Sequence, residues 1–214
     1  MDFLFIYSDT LLPFFVLLLQ IFSSRKLPNG DFLLRLYLLL TTIIMGFSNY
    51  LADRAIRNYY LYHLYSLFEV ILLIQLITRF TSSDKKSGFV AIALYALFWL
   101  INIRYLEPLS DFNSISSTVA ALFISFFCFR YFLLISRKEA FLYFKKIPSF
   151  WIVSGILFYC IASVFVSGTY RFVPELENIN SHTIWIFQQN LNIIKFILIS
   201  IGILCCYRPT SPHG

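Results

Sequence analysis

Seven stretches of this chain are continuously apolar, nearly free of charge and each about twenty residues long. They run over residues 3–22, 32–52, 59–79, 87–106, 115–135, 148–168 and 184–207. A helix of roughly 20 residues crosses the hydrocarbon core of a bilayer, which is about 30 Å thick. Backbone groups in lipid must find their hydrogen bonds within the segment or in a closed barrel. Because the runs do not alternate as barrel strands do, we predict transmembrane helices.

The composition excludes the main soluble classes of protein. Hydrophobic residues make up 59% of the chain and charged residues 13%, whereas about 25% of a soluble domain is charged. A soluble enzyme, a disordered chain and a nucleic-acid-binding protein are therefore excluded. The net charge of +6 does not indicate nucleic acid, because the basic residues lie at the ends of apolar segments. We predict one integral membrane domain over residues 1–214, an all-α polytopic bundle of seven helices in a lipid bilayer.

The basic residues predict an orientation for this bundle. Of the 17 Lys and Arg residues, twelve lie on the side of loops 23–31, 80–86 and 136–147, four lie on the opposite side, and Lys195 lies inside the last span. Cytoplasmic loops of membrane proteins carry the excess of Lys and Arg. We therefore expect an external N-terminus and a cytoplasmic C-terminus in a cell membrane, the bacterial inner membrane. The loops are too short for an output domain, so any signal requires a membrane or cytoplasmic protein partner.

Two ionisable residues lie near the middle of their spans, Glu69 in the third and Lys195 in the seventh. A charge at that depth is costly and usually faces the interior of the bundle. At about 1.5 Å per residue the two depths agree to within one helical turn, so we predict a Glu69–Lys195 pair. A functional pair and a structural pair that sets helix register are both consistent with this pattern.

Further polar residues follow the same helices toward the predicted outer surface. Trp185, Gln188 and Asn192 precede Lys195 at spacings that place all four on one helical face. Tyr62 lies on the face that leads to Glu69. We predict a polar cavity that opens outward and ends at the midplane pair. Buried amide side chains also act as hydrogen-bonding contacts between helices, and that interpretation stays open for Gln188 and Asn192 of the seventh span.

Three short segments of the second and third spans are Asn49-Tyr50-Leu51-Ala52-Asp53, Tyr62-His63-Leu64-Tyr65 and Phe68-Glu69. In these segments the chain resembles uncharacterised small seven-helix bacterial membrane proteins. The resemblance implies no activity. It does imply that Asn49, His63 and Glu69 belong to one site, although His63 alone is also consistent with a core histidine.

The pattern favours one function class and leaves two others open. We expect a sensor or binding subunit that takes an unknown small ligand from the outer side and acts through a partner. The alternative is a small-solute or proton-linked transporter. Transporters often have helices that are broken at Gly or Pro near the substrate site, and the few such residues inside these spans argue against this class. An intramembrane enzyme is the third class. We assign no catalytic residue, metal or cofactor. A zinc site of three histidines is excluded, because one of the three histidines, His213, lies in the tail. A lysine inside the seventh span resembles that of retinal-binding proteins, but Leu191 stands where those proteins usually carry Asp.

Overall fold

The computed structural model of the protein describes residues 3–23, 27, 29–81, 85–137, 139–170 and 181–205. Within these ranges the secondary structure is helical and contains no strand, which confirms the all-α prediction. A 3-10 helix covers Glu139–Lys146. The α-helices are α1 (Phe3–Ile6), α2 (Ser8–Phe22), α3 (Asp31–Asp53), α4 (Tyr59–Thr81), α5 (Lys85–Tyr105), α6 (Ile115–Ser136), α7 (Pro148–Tyr170) and α8 (Ser181–Cys205).

Six of these helices, α3 to α8, are long and apolar enough to cross a membrane. Their outward faces carry large apolar side chains: Phe89, Phe126 and Phe165 are each more than 60% exposed. Such a surface is unfavourable in water but fits lipid, so the protein is a multi-pass membrane protein.

The first predicted span, 3–22, differs from the other six. The chain leaves the helical conformation at Tyr7, which separates the four residues of α1 from the 15 residues of α2. Helix α2 is apolar, but at about 1.5 Å per residue it is only roughly 22 Å long. Pro13 lies inside it and has no N–H to donate to the Asp9 carbonyl one turn earlier. The described structure therefore has six membrane-length helices and one shorter, interrupted segment, where the sequence predicted the first of seven spans.

Six helices close into a ring. Helix α2 packs on α3, α3 on α4, α4 on α6, α6 on α7, α7 on α8, and α8 packs back on α2. Helix α5 lies outside this ring, against α4 and α6. Its outer face is accordingly open to the surroundings, with Leu94, Leu97 and Leu100 more than half exposed.

The two ends of the ring differ in character. At the core end α2 and α6 end and α3 and α7 begin, and the half of the ring beside it is filled by buried apolar side chains such as Leu34, Leu73 and Ile152. The cavity end carries the connections 54–58 and 106–114. The helix segments beside the cavity end bring buried polar side chains into the ring, including Ser66 and Asn192.

Two glycines allow α7 and α8 to approach closely. A Cβ atom at Gly155 would lie 2.9 Å from the backbone oxygen of Lys195, and one at Gly202 would lie 2.8 Å from the backbone oxygen of Pro148. Small residues at such contacts let helix backbones meet. This contact holds Lys195 directly beside α7, where Tyr159 lies one turn beyond Gly155.

Candidate functional site

A cavity of about 500 Å³ lies inside the ring, toward the cavity end. Every helix of the ring contributes to its wall, and the described residues of α5 contribute none. The polar and aromatic residues of the lining are Asp9, Thr41, Tyr62, Tyr65, Ser66, Glu69, Phe112, Asn113, Ser117, Tyr159, Ser163, Ser167, Trp185, Gln188, Gln189 and Asn192. The cavity is thus the interior of the ring on its polar side.

Glu69 lies at the floor of the cavity, where two phenols hold its carboxylate. The Tyr65 hydroxyl donates to Glu69 Oε1 over 2.9 Å, and the Tyr37 hydroxyl donates to the same atom over 3.4 Å. The two hydroxyl oxygens lie 3.4 Å apart. These hydrogen bonds replace the water that the carboxylate loses on burial.

Lys195 lies behind this floor and does not line the cavity. Its side chain is 1% exposed, and its Nζ atom is 4.0 Å from Glu69 Oε1. The Nζ atom donates to the Tyr37 hydroxyl over 3.1 Å and lies 3.9 Å from the ring centroid of Tyr159. The structure therefore brings Glu69 and Lys195 together, at the limit of a direct ion pair, with Tyr37 bridging them.

The α8 wall contains the predicted stripe, since Trp185, Gln188 and Asn192 all line the cavity. Gln188 Nε2 donates to the Tyr159 hydroxyl over 3.0 Å and to the Ser163 hydroxyl over 3.1 Å. Its Oε1 atom is buried without a hydrogen-bond partner in the described structure. Gln188 thus connects the α8 wall to α7 through one half of its amide.

Tyr62 also lines the cavity, whereas Asn49 lies just behind the wall. The Asn49 amide donates to Asp9 Oδ1 over 2.9 Å and to the Thr10 hydroxyl over 3.0 Å. Tyr62 is fixed at its backbone, because Asn113 donates to the Tyr62 carbonyl over 2.9 Å. Asn49 therefore positions Asp9, which is itself a lining residue.

His63 faces away from the cavity. It is fully buried, its Nε2 atom lies 3.2 Å from the Asp111 carbonyl oxygen, and its own carbonyl accepts from Trp99 on α5 over 2.8 Å. Adjacent positions on a helix differ by about 100°, so His63 and Tyr62 point in different directions. The resemblance implied that His63, Asn49 and Glu69 belong to one site. The structure instead places His63 away from the cavity that Glu69 lines.

Several residues of this region escaped the sequence analysis. Tyr37 and Tyr159 surround the Lys195 ammonium, and Gln189 and Asn113 line the cavity. A tyrosine deep inside an apolar span, away from the interfacial belt, was a usable signal for Tyr37 and Tyr159. Asn113 belongs to a connection, and no periodicity identifies such a residue.

The described wall of the cavity combines carboxylates with amides, hydroxyls and aromatic rings. Within the described ranges, no group of three or more His, Cys, Asp and Glu side chains is placed to hold a metal ion. The described lining contains two carboxylates, Asp9 and Glu69, and no Lys or Arg. Lys195 offsets Glu69 from behind, and no described basic side chain forms an ion pair with Asp9.

Comparison with known proteins identified no relative of this chain. The chain matches no protein-family model, no curated protein and no solved structure.

Proposed function

We propose that this chain is a small-ligand sensor or binding subunit of the bacterial inner membrane. In this proposal α1 and α2 together make a seventh crossing, the N-terminus is external and the C-terminus is cytoplasmic. The bias of Lys and Arg toward the core end supports that orientation. The cavity end then faces outward, and a small ligand enters the ring from that side.

One observation carries the proposal: the cavity occupies one half of the interior of the ring, and apolar side chains fill the other half. Below Glu69 and Lys195 the interior is filled by buried side chains, including Phe127, Ile152 and Ile199. Interiors of this kind have few voids larger than a water molecule. A ligand bound above the floor would contact all six ring helices. Its binding would therefore favour one arrangement of these helices over another. A separate protein partner would bind one of these arrangements in preference to the other.

A small-solute or proton-linked transporter is the second candidate, and one observation favours it. Glu69 both lines the cavity and interacts with Lys195. Ionisable residues inside membrane helices form the proton relays of pumps and transporters, and a solute in the cavity would lie directly against Glu69. Transport also requires access from the core end, through the packed half.

Binding is tested with a cavity-filling variant and a matched control on the adjacent residue of α6. Ala121 lines the cavity and is 6% exposed, whereas Leu122 is 52% exposed on the outside. Ala121→Phe places a ring in the cavity, and Leu122→Phe places one in the lipid. Thermal shifts of the purified protein are measured with a panel of amines, amino acids and monosaccharides. We expect at least one compound to raise the melting temperature of the wild type and of Leu122→Phe, but not of Ala121→Phe.

Vesicles separate the two candidates. The compound that stabilises the purified protein is supplied in radiolabelled form to proteoliposomes, with and without a pH gradient. A sensor or binding subunit binds it without uptake and co-purifies with a partner from the native membrane. Uptake that requires the protein and is lost in Ala121→Phe would instead support the transporter. Equal thermal shifts in all three proteins would contradict binding in the cavity.

A further inference from the structure

We propose that the ligand of this cavity is a small organic cation, an amine that carries an aromatic or short apolar group. This inference deepens the proposed function and rests on it. Three features support it: the charge of the lining, the position of Asp9 and the aromatic side chains of the cavity wall.

The described lining has an excess of negative charge. Asp9 and Glu69 are its carboxylates, and it contains no Lys or Arg. The Lys195 ammonium, 4.0 Å from Glu69, offsets that carboxylate. Asp9 has no such partner among the described residues. A carboxylate withdrawn from bulk water without a counter-charge is unfavourable, and a bound cation removes that cost.

Neutral groups hold Asp9 in place without neutralising it. Asn49 Nδ2 donates to Asp9 Oδ1 over 2.9 Å, and the Thr10 hydroxyl donates to the same atom over 3.4 Å. The neighbouring lining residue Gln189 accepts a hydrogen bond from Ser8 over 3.2 Å. Asp9 is therefore a fixed acceptor on the α2 wall, preorganised for an ammonium donor.

Aromatic side chains supply the second half of a site for amines. Tyr62, Phe112, Tyr159 and Trp185 all line the cavity. Aromatic faces attract cations, and the attraction is larger where water is excluded. The protein already uses this interaction next to the cavity, because Lys195 Nζ lies 3.9 Å from the Tyr159 ring centroid.

Other ligand classes fit the lining less well. An anion would meet two carboxylates with no lining Lys or Arg in the described part of the wall. A neutral polyol would find amides and hydroxyls but would leave Asp9 without a counter-charge. The volume of about 500 Å³ lies within the usual range for small-molecule sites, about 300–1,000 Å³. A single positive charge on a compact, partly apolar body matches all these features.

Three probes of similar shape and different charge test the inference. Calorimetric titration of the detergent-solubilised full chain uses phenethylamine, 2-phenylethanol and 3-phenylpropionate. We expect the amine to bind at least about tenfold more tightly than the alcohol, and the carboxylate not to bind, because a hydrogen bond to a charged group is the stronger one. This comparison needs only the wild-type protein.

Two matched variants assign the preference to Asp9. Asp9→Asn keeps the shape and removes the charge, and we expect it to weaken amine binding about tenfold or more while leaving alcohol binding unchanged. Asp53→Asn makes the same change outside the cavity, at an exposed residue that accepts from Tyr7, and should leave both affinities within about twofold. Size-exclusion profiles and melting temperatures establish that each variant is folded.

The outcomes separate this inference from the proposed function. Equal affinities for amine and alcohol, or an amine affinity unchanged in Asp9→Asn, would overturn the cation proposal. If a monosaccharide or other neutral compound still raises the melting temperature in an Ala121-dependent way, the proposed binding function stands. If neither these probes nor the wider panel binds, both proposals are wrong.

Discussion

At the residue scale, the central feature is a lysine ammonium buried in the middle of a helical bundle. Its counter-charge, the Glu69 carboxylate, is 4.0 Å away, and a tyrosine hydroxyl stands between the two. Ring faces of Tyr159 and Phe196 cover further sides of the ammonium. The charge is thus compensated by several weak partners, so removing the carboxylate alone does not leave Lys195 entirely without favourable contacts.

A double-mutant cycle measures how strongly Glu69 and Lys195 interact. Glu69→Gln leaves the Lys195 ammonium without its counter-charge, and Lys195→Met leaves the Glu69 carboxylate without one. Removing one partner of a buried pair costs about 3–5 kcal/mol. We expect the double variant to recover much of that loss, because no unpaired charge remains. Melting temperatures of the four detergent-solubilised proteins measure the effect.

A partly exposed pair serves as the control for that cycle. Arg35 and Asp31 form an ion pair of 2.8 Å one turn apart on α3, with side chains 35% and 17% exposed. Pairs of this kind are worth about 0–1 kcal/mol, so the cycle of Asp31→Asn and Arg35→Met should show little coupling. Strictly additive losses at Glu69 and Lys195 would mean that the two residues do not interact, despite their distance.

At the element scale, α4 has two functions in the fold. One face turns Tyr65 and Glu69 into the ring, and another supports α5 through the contact between His63 and Trp99. Helices α7 and α8 approach each other closely at Gly155 and Gly202. Because Lys195 lies at this contact, the packing of α7 on α8 sets the position of the ammonium.

The glycine contact predicts a graded effect of adding one methyl group. Gly155→Ala and Gly202→Ala place a Cβ atom under 3.0 Å from backbone oxygen atoms, which cannot move without shifting a helix. We expect each to destabilise the protein by about 1–3 kcal/mol, as overpacked cores do. Gly168→Ala on the same α7 meets nothing within 4 Å and should be neutral or slightly stabilising. Equal melting temperatures for all three variants would contradict the close approach.

At the scale of the whole molecule, a ring of six helices surrounds one polar space, and a further helix lies outside. This arrangement gives the cavity a wall from every ring helix and gives the core end a continuous apolar filling. The outward side chains of α5 are exposed along its length, including Phe89, Leu97 and Tyr105. On its inner side α5 supports the ring, because Trp99 donates to the His63 carbonyl of α4 and Tyr95 donates to the Ser116 carbonyl of α6.

Two single-atom substitutions test the proposed orientation in cells. Ser110 lies in the connection at the cavity end, and Ser136 lies at the end of α6 at the core end; both are exposed. In a background with Cys205 and Cys206 replaced by Ser, we expect Ser110→Cys to react with a membrane-impermeant maleimide in intact cells. Ser136→Cys should react only after the membrane is permeabilised. The reverse labelling pattern would place the cavity end in the cytoplasm.

The sequence by itself determined the helical, membrane-spanning character of the chain and the approximate bounds of the long helices. It also predicted that Glu69 and Lys195 lie at similar depth and that Trp185, Gln188 and Asn192 share a face. These features follow from length, apolar composition and helical periodicity, which are local properties of the chain. They can be predicted without knowing which helices pack against one another.

Only the tertiary structure decided which helix lies outside the ring, where the first span is interrupted and what surrounds Lys195. Helices such as α5 and α6 are apolar on nearly all sides, so their sequences do not specify which face points inward. That choice depends on packing against other helices, as does the placement of Tyr37 and Tyr159 beside the ammonium. The surroundings of His63 likewise depend on tertiary packing, because its ring contacts the Asp111 carbonyl in the connection 106–114 and its own carbonyl accepts from Trp99 on α5.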